Sequence, residues 1–120
     1  MTKRIHKNWV IFLTFVVIMF LSFSVSKAET VKMFEIKAKK YIFEPNTIRV
    51  NRGDKVILNI LSTDRAHGIG IKAFNIKSLL PKEKSVTIEF TADKKGEFPI
   101  VCTKFCGWKH SKMKGQLIVE

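Results

Sequence analysis

Beyond residue 28 the chain has no amphipathic helical period of useful length, no internal repeat, no low-complexity tract and no linker. Those absences exclude a helical bundle, a repeat array and a string of several domains. Cysteine is scarce, two among 120 residues, and ten acidic side chains face 22 basic ones. No nucleophile is paired with a base and no catalytic acid stands out, so this polypeptide alone is not expected to be an enzyme. A nucleic-acid reader motif is also missing, which leaves nucleic acid out as a partner despite the formal charge of +12.

Residues 1–28 read as an address rather than as part of a fold. Lys3, Arg4 and Lys7 give a positive start, and an apolar run covers residues 9–20 and, past Ser22, reaches Phe23. Ser26-Lys27-Ala28 then places small residues at the two positions a signal peptidase reads, so cleavage before Glu29 is expected. The alternative is a single uncleaved membrane anchor through residues 9–25, which falls short of the about 20 residues a spanning helix needs. In both cases the positive end stays in the cytoplasm, and residues 29–120 are exported to the periplasm or the outer face of the cytoplasmic membrane. Four of the basic residues and none of the acidic ones lie in 1–28, so residues 29–120 carry +8. Such an excess favours acidic partners or anionic surfaces.

Residues 29–120 suffice for one small domain with one core. Short apolar or alternating runs predict strands at 31–38, 41–43, 47–50, 56–61, 85–91, 97–102 and 115–119. Turn residues separate them: Pro45-Asn46, Asn51-Arg52-Gly53-Asp54 and Lys94-Lys95-Gly96. In 85–91, Val86, Ile88 and Phe90 point one way and Thr87, Glu89 and Thr91 the other. The run at 56–61 is almost wholly apolar, as in a strand covered on both faces. Residues 68–80 have a weaker pattern and are expected to cross between sheets. The reading is all-β, a β-sandwich.

The two scarce cysteines stand together, in Cys102-Thr103-Lys104-Phe105-Cys106-Gly107-Trp108-Lys109-His110-Ser111-Lys112-Met113, with His67 35 residues upstream of the first. As spacing this is C-x3-C-x3-H-x2-M. Two thiolates, two imidazoles and a thioether are soft-to-borderline donors, which suit copper far better than magnesium or calcium. A thiolate sulfur can bridge two metals, so two thiolates on one loop can hold a dinuclear copper core with one histidine capping each ion. Such a site moves electrons. A mononuclear blue-copper site needs one cysteine, so the second argues against it. Zinc could take a Cys2His2 set, although the spacing is unlike a finger. A Cys102–Cys106 disulfide is the competing structural role in an oxidising compartment. The cluster falls between the last two strands and is anchored at both ends, with His67 arriving from a neighbouring strand end. Phe105 and Trp108 either shield the site or touch a partner, and Phe74 is expected at the surface. Lys72, Lys104, Lys109, Lys112 and Lys114 lie near the cluster.

The loop, the Asp64-Arg65-Ala66-His67-Gly68 segment and the closing Met113-Lys114-Gly115-Gln116-Leu117-Ile118-Val119 stretch resemble the CuA-bearing cupredoxin domain of cytochrome c oxidase subunit II. The resemblance covers essentially residues 31–120, including the Phe43-Glu44-Pro45 and Arg52-Gly53-Asp54 turns, and is strongest to compact B-type oxidase subunits and free-standing CuA proteins. It implies a cupredoxin-like Greek-key β-sandwich at 29–120 behind the signal or anchor at 1–28. It implies two copper ions bridged by Cys102 and Cys106, with His67 and His110 each ligating one ion. Met113 would be a weak ligand to one ion and the backbone carbonyl of Lys104 to the other. The implied partners are a c-type cytochrome or similar soluble redox protein and the haem-bearing catalytic subunit of an oxidase.

Two departures stand out. Most oxidase subunits carry, between the cysteines, a glutamate that helps hold magnesium; with Lys104 there, the backbone ligand survives and the magnesium role does not. The aromatic segment through which the family takes up electrons is reduced to Tyr41 and Phe43. Both departures favour an exported, free-standing electron carrier. The other two readings are subunit II of a haem-copper terminal oxidase and a copper delivery or storage protein without electron-transfer duty.

Overall fold

Residues 3–20 and 29–120 are described by the computed structural model; the expected cleavage motif Ser26-Lys27-Ala28 lies outside them. Lys3–Phe20 forms a helix, α1. From Trp9 onward its side chains are exposed and, Thr14 apart, apolar, a pattern that calls for burial against something else. Among the described residues no helix is long and apolar enough to cross a membrane.

Among the described residues nine strands follow: β1 Val31–Lys39, β2 Ile42–Glu44, β3 Thr47–Val50, β4 Lys55–Ser62, β5 His67–Ile71, β6 Ile76–Leu80, β7 Ser85–Thr91, β8 Gly96–Val101 and β9 Lys114–Val119. They make two sheets, ordered β2-β1-β4-β7 and β3-β9-β8-β5-β6. Two pairs, β1/β4 and β3/β9, run parallel; the others are antiparallel. Alternate residues of each sheet turn inward, so that Ile36, Val56, Leu58 and Ile60 of the first join Ile69, Ile71, Ile100 and Leu117 of the second in one core. Burying each such aliphatic side chain contributes about 1.5–3 kcal/mol, whereas a bridge closing the short 102–106 loop would add a few kcal/mol at most. The sandwich is therefore held by its core, and both cysteines are free thiols.

Three expectations change. Residues 68–80 do not cross between sheets: β5 and β6 pair as an antiparallel hairpin from His67↔Leu80 to Ile71↔Ile76, turned by a short 3-10 segment, Lys72–Phe74, and by Asn75 at φ 55°. Every residue of β5 is buried, so the strand carries no alternation to read. Strand β4 is not covered on both faces. Val56, Leu58 and Ile60 are buried while Ile57, Asn59 and Leu61 are half-covered, and its apolar run reflects a central position between β1 and β7. Phe74 is half-buried rather than freely exposed. Its ring packs on Phe90 and Phe98, each at 5.1 Å between centroids.

Candidate metal centre

Strands β8 and β9 pair from Gly96↔Val119 to Val101↔Lys114. Just beyond the last pair, the Cys102 N–H donates to the Met113 carbonyl at 3.2 Å and closes the neck of the loop. Inside it, the His110 N–H bonds to the Gly107 carbonyl and the Met113 N–H to the His110 carbonyl, each at 3.1 Å. These bonds fold 107–113 into a tight turn, whose His110–Lys112 portion is a 3-10 helix. The C-x3-C-x3-H-x2-M spacing thereby becomes a compact cluster. The Cys102 and Cys106 sulfurs lie 3.8 Å apart. Met113 Sδ is 3.9 Å and His110 Nδ1 3.7 Å from Cys106 Sγ. The Lys104 carbonyl sits 3.1 Å from Cys102 Sγ, while the Lys104 side chain is exposed.

His67 enters from the first residue of β5, in the other segment of the same sheet. One ring nitrogen and the two thiol sulfurs lie within 4.8 Å of one another, and all three residues are buried. The His67 side chain is fully buried, and its Nε2 meets Asp64 Oδ1 at 2.8 Å. A carboxylate only accepts, so Nε2 is the donor in this contact and Nδ1 is the ring nitrogen left for a ligand. That Nδ1 has no hydrogen-bond partner. Leaving a buried polar atom unpaired costs about 1–3 kcal/mol, a cost that a ligand at Nδ1 removes. All six expected site residues thus converge. His67, Cys102 and Cys106 form the mutually close set, His110 and Met113 join it through Cys106, and Lys104 offers its carbonyl beside Cys102.

The electrostatics follow from burial. Desolvation, reinforced by the neighbouring Cys102, pushes the Cys106 thiol up to about 11, against a smaller opposing pull from Arg65. Burial also raises Asp64, but hydrogen bonds from the Lys40 N–H, His67 and the Arg65 N–H together outweigh it and hold the carboxyl below its ordinary range.

Several supporting residues carry no role in the sequence reading. Asp64 orients His67; its i, i+3 spacing is the one signal that could have marked it. Arg65 Nη1 donates to the Cys106 carbonyl at 2.6 Å, and Ser62 Oγ donates to the Arg65 carbonyl. Gly68 is bare because a Cβ there would overlap Thr103 Oγ1 and press on Lys104 N. Gly107 adopts φ +139° with Tyr41 packed against it. Of the two aromatics expected at the electron-uptake segment, Tyr41 thus buttresses the ligand loop and Phe43 is buried in the core.

Fold and loop together define a two-sheet β-sandwich domain with a sulfur- and imidazole-rich site at one end. The chain belongs to the cupredoxin-like domain family, which matches residues 12–119. It is homologous to cytochrome c oxidase subunit 2 of Thermus thermophilus, 35% identical over 79 residues that make up 65% of this chain and 58% of that one. The nitrous-oxide reductase of Cupriavidus necator is 29% identical over 90 residues, 72% of this chain but 14% of that enzyme. The chain thus spans little more than half the length of the oxidase subunit it matches. Among solved structures, the periplasmic domain of subunit II of cytochrome oxidase from Bradyrhizobium japonicum aligns with a TM-score of 0.68 at 19% identity, over 81% of this chain and 88% of that one. It shares the fold.

Proposed function

We propose that residues 29–120 hold a pair of copper ions between Cys102 and Cys106 and serve as a relay for single electrons. The observation that carries this reading is the buried, unpartnered Nδ1 of His67 beside two free thiols 3.8 Å apart. Taking the zinc–thiolate length of about 2.3 Å as a guide, both sulfurs would be within reach of one ion and could be shared with a second. His67 and His110 would cap one ion each, Met113 and the Lys104 carbonyl would be the weak ligands, and the soft donor set selects copper. Bound there, copper supplies a one-electron couple. The chain's own part is to fix the ligands on a loop pinned at its neck, which limits rearrangement between oxidation states, and to keep them buried.

The identity to the Thermus subunit supports a second, narrower form of this reading, subunit II of a haem-copper terminal oxidase. In that form a c-type cytochrome is the donor, a catalytic subunit the acceptor, and turnover belongs to the other chain. Residues 1–28 would export the domain to the outer side of the cytoplasmic membrane, as a cleaved signal or as a retained anchor. Metal content tests the copper pair: wild type reduced, loaded and desalted should hold two coppers per chain, and Cys106→Ser one or none. Two coppers and an unchanged spectrum in Cys106→Ser contradict the bridging role.

A further inference from the structure

Charge is unevenly distributed along the domain. Residues 65–82 and 98–119 hold eight Lys or Arg and no Asp or Glu, while the rest of 29–120 holds ten of each sign. The whole +8 excess therefore lies in the two segments that contain every expected ligand. The fold brings these segments together in one sheet, where β5 meets β8 at Gly70↔Val101, next to Cys102. Lys72 and Lys77 border a hollow of about 450 Å³ that Thr103 of the ligand loop also lines. Lys104, Lys109 and Lys112 are exposed on the loop itself.

Amid this basic surround the loop exposes two aromatics, Trp108 at 98% and Phe105 at 75%. Trp108 sits on a fixed turn. On one side Arg65 holds the Cys106 carbonyl and Tyr41 packs on Gly107; on the other, the Lys112 N–H bonds to the Lys109 carbonyl at 2.9 Å. An aromatic presented on a rigid turn loses little freedom on association, and an apolar centre inside a charged rim is the anatomy of a protein–protein interface. The Phe105 ring lies 5.8 Å from the His110 ring, so this surface touches the site directly.

We propose that this end of the domain is the docking face for a redox protein with a carboxylate-rich rim around an apolar patch, Trp108 being the central contact. Its redox meaning rests on the copper reading above; the association itself does not. Like charge would repel a basic partner, while an acidic one is steered in and oriented.

The test uses the full-length chain in a neutral detergent, metal-free and copper-loaded, titrated with an acidic and with a basic c-type cytochrome while backbone and indole resonances are followed. The acidic cytochrome should shift the Trp108 indole and the Lys104, Lys109 and Lys112 amides, and bind about tenfold or more weakly at physiological than at low ionic strength. Lys109→Glu with Lys112→Glu should weaken binding about tenfold or more at low salt. Trp108→Ala should weaken it at every salt concentration without changing the salt slope. All these side chains are exposed, so circular dichroism should show both variants folded. Equal binding of the basic cytochrome, or affinity indifferent to salt, overturns the proposal. So does a Trp108 signal moved only by anionic phospholipid vesicles or by self-association. Because binding is read with and without copper, a chain that takes up no metal can still dock, and a chain that fails to dock still reports its copper content.

Discussion

Asp64 Oδ1 accepts a hydrogen bond from His67 Nε2 at 2.8 Å, and this contact determines which ring nitrogen is left for the thiols. The carboxylate is itself held, at 2.8 Å each, by the Lys40 N–H on Oδ2 and the Arg65 N–H on Oδ1. Carboxylates that orient a ligating imidazole are typically worth about 10–100-fold in metal affinity. Asp64→Ala should therefore weaken copper binding by about that factor in a chelator competition. Asp64→Asn, which keeps an accepting oxygen, should lose less. Affinity unchanged in both variants would detach Asp64 from the site.

The same carboxyl makes stability depend on acid. Its folded pKa is below the ordinary value of 3.8. A carboxyl depressed on folding contributes stability that is fully present above its unfolded value and is lost as pH falls through the folded one. In urea unfolding of metal-free protein, wild type should exceed Asp64→Asn at neutral pH, and the gap should shrink as pH falls below the ordinary value of 3.8 and through the lower folded one. A gap that widens in acid would contradict the assignment.

Copper uptake should respond to pH in the opposite range. The Cys106 thiol, raised to about 11, keeps its proton in metal-free protein at neutral pH and must release it to bind metal. Apparent affinity should rise about tenfold per pH unit for each proton released, measured between mildly acidic and mildly alkaline buffers. A flat profile would mean that Cys106 is not a ligand.

Gly107 combines a left-handed φ of +139° with a close approach to Tyr41 Oη. Gly107→Ala should destabilise the fold by about 1–3 kcal/mol through backbone strain and by a further amount through the clash. Adding Tyr41→Phe should recover only the hydroxyl's share of the clash, since the ring carbons at 3.1 and 3.2 Å remain. Full rescue by that second change, seen in denaturant midpoints, would show that the backbone conformation costs nothing.

Met113 is fully buried, with its sulfur 3.9 Å from Cys106 Sγ. Met113→Leu conserves volume and should cost less than about 1.5 kcal/mol of stability. It should keep both coppers while shifting the reduction potential. An unchanged potential would reduce Met113 to core packing.

What the sequence made legible, and what it hid, divides along physical lines. β7 declared itself because one of its faces is wet and the other packed, which writes alternation into Val86, Ile88 and Phe90. β5 did not, because Gly68 and Gly70 lie under Thr103 and the whole strand is buried, so no polar face marks it. The cysteines, His110 and Met113 could be read from spacing because one short loop carries them all. Asp64 could not be assigned a role, since its second anchor is a backbone N–H at Lys40, 24 residues away in the chain. Tyr41, read as an aromatic for electron uptake, packs instead against Gly107 of the ligand loop, another contact distant in the chain.

The most direct measurement on the central claim is electron paramagnetic resonance of the full-length chain after reduction, copper loading and partial re-oxidation, with copper counted alongside. One unpaired electron shared by two coppers per chain, showing more hyperfine lines than a single copper nucleus can produce, is expected. One copper per chain with an ordinary single-ion spectrum, or a silent copper(I) site, would contradict it.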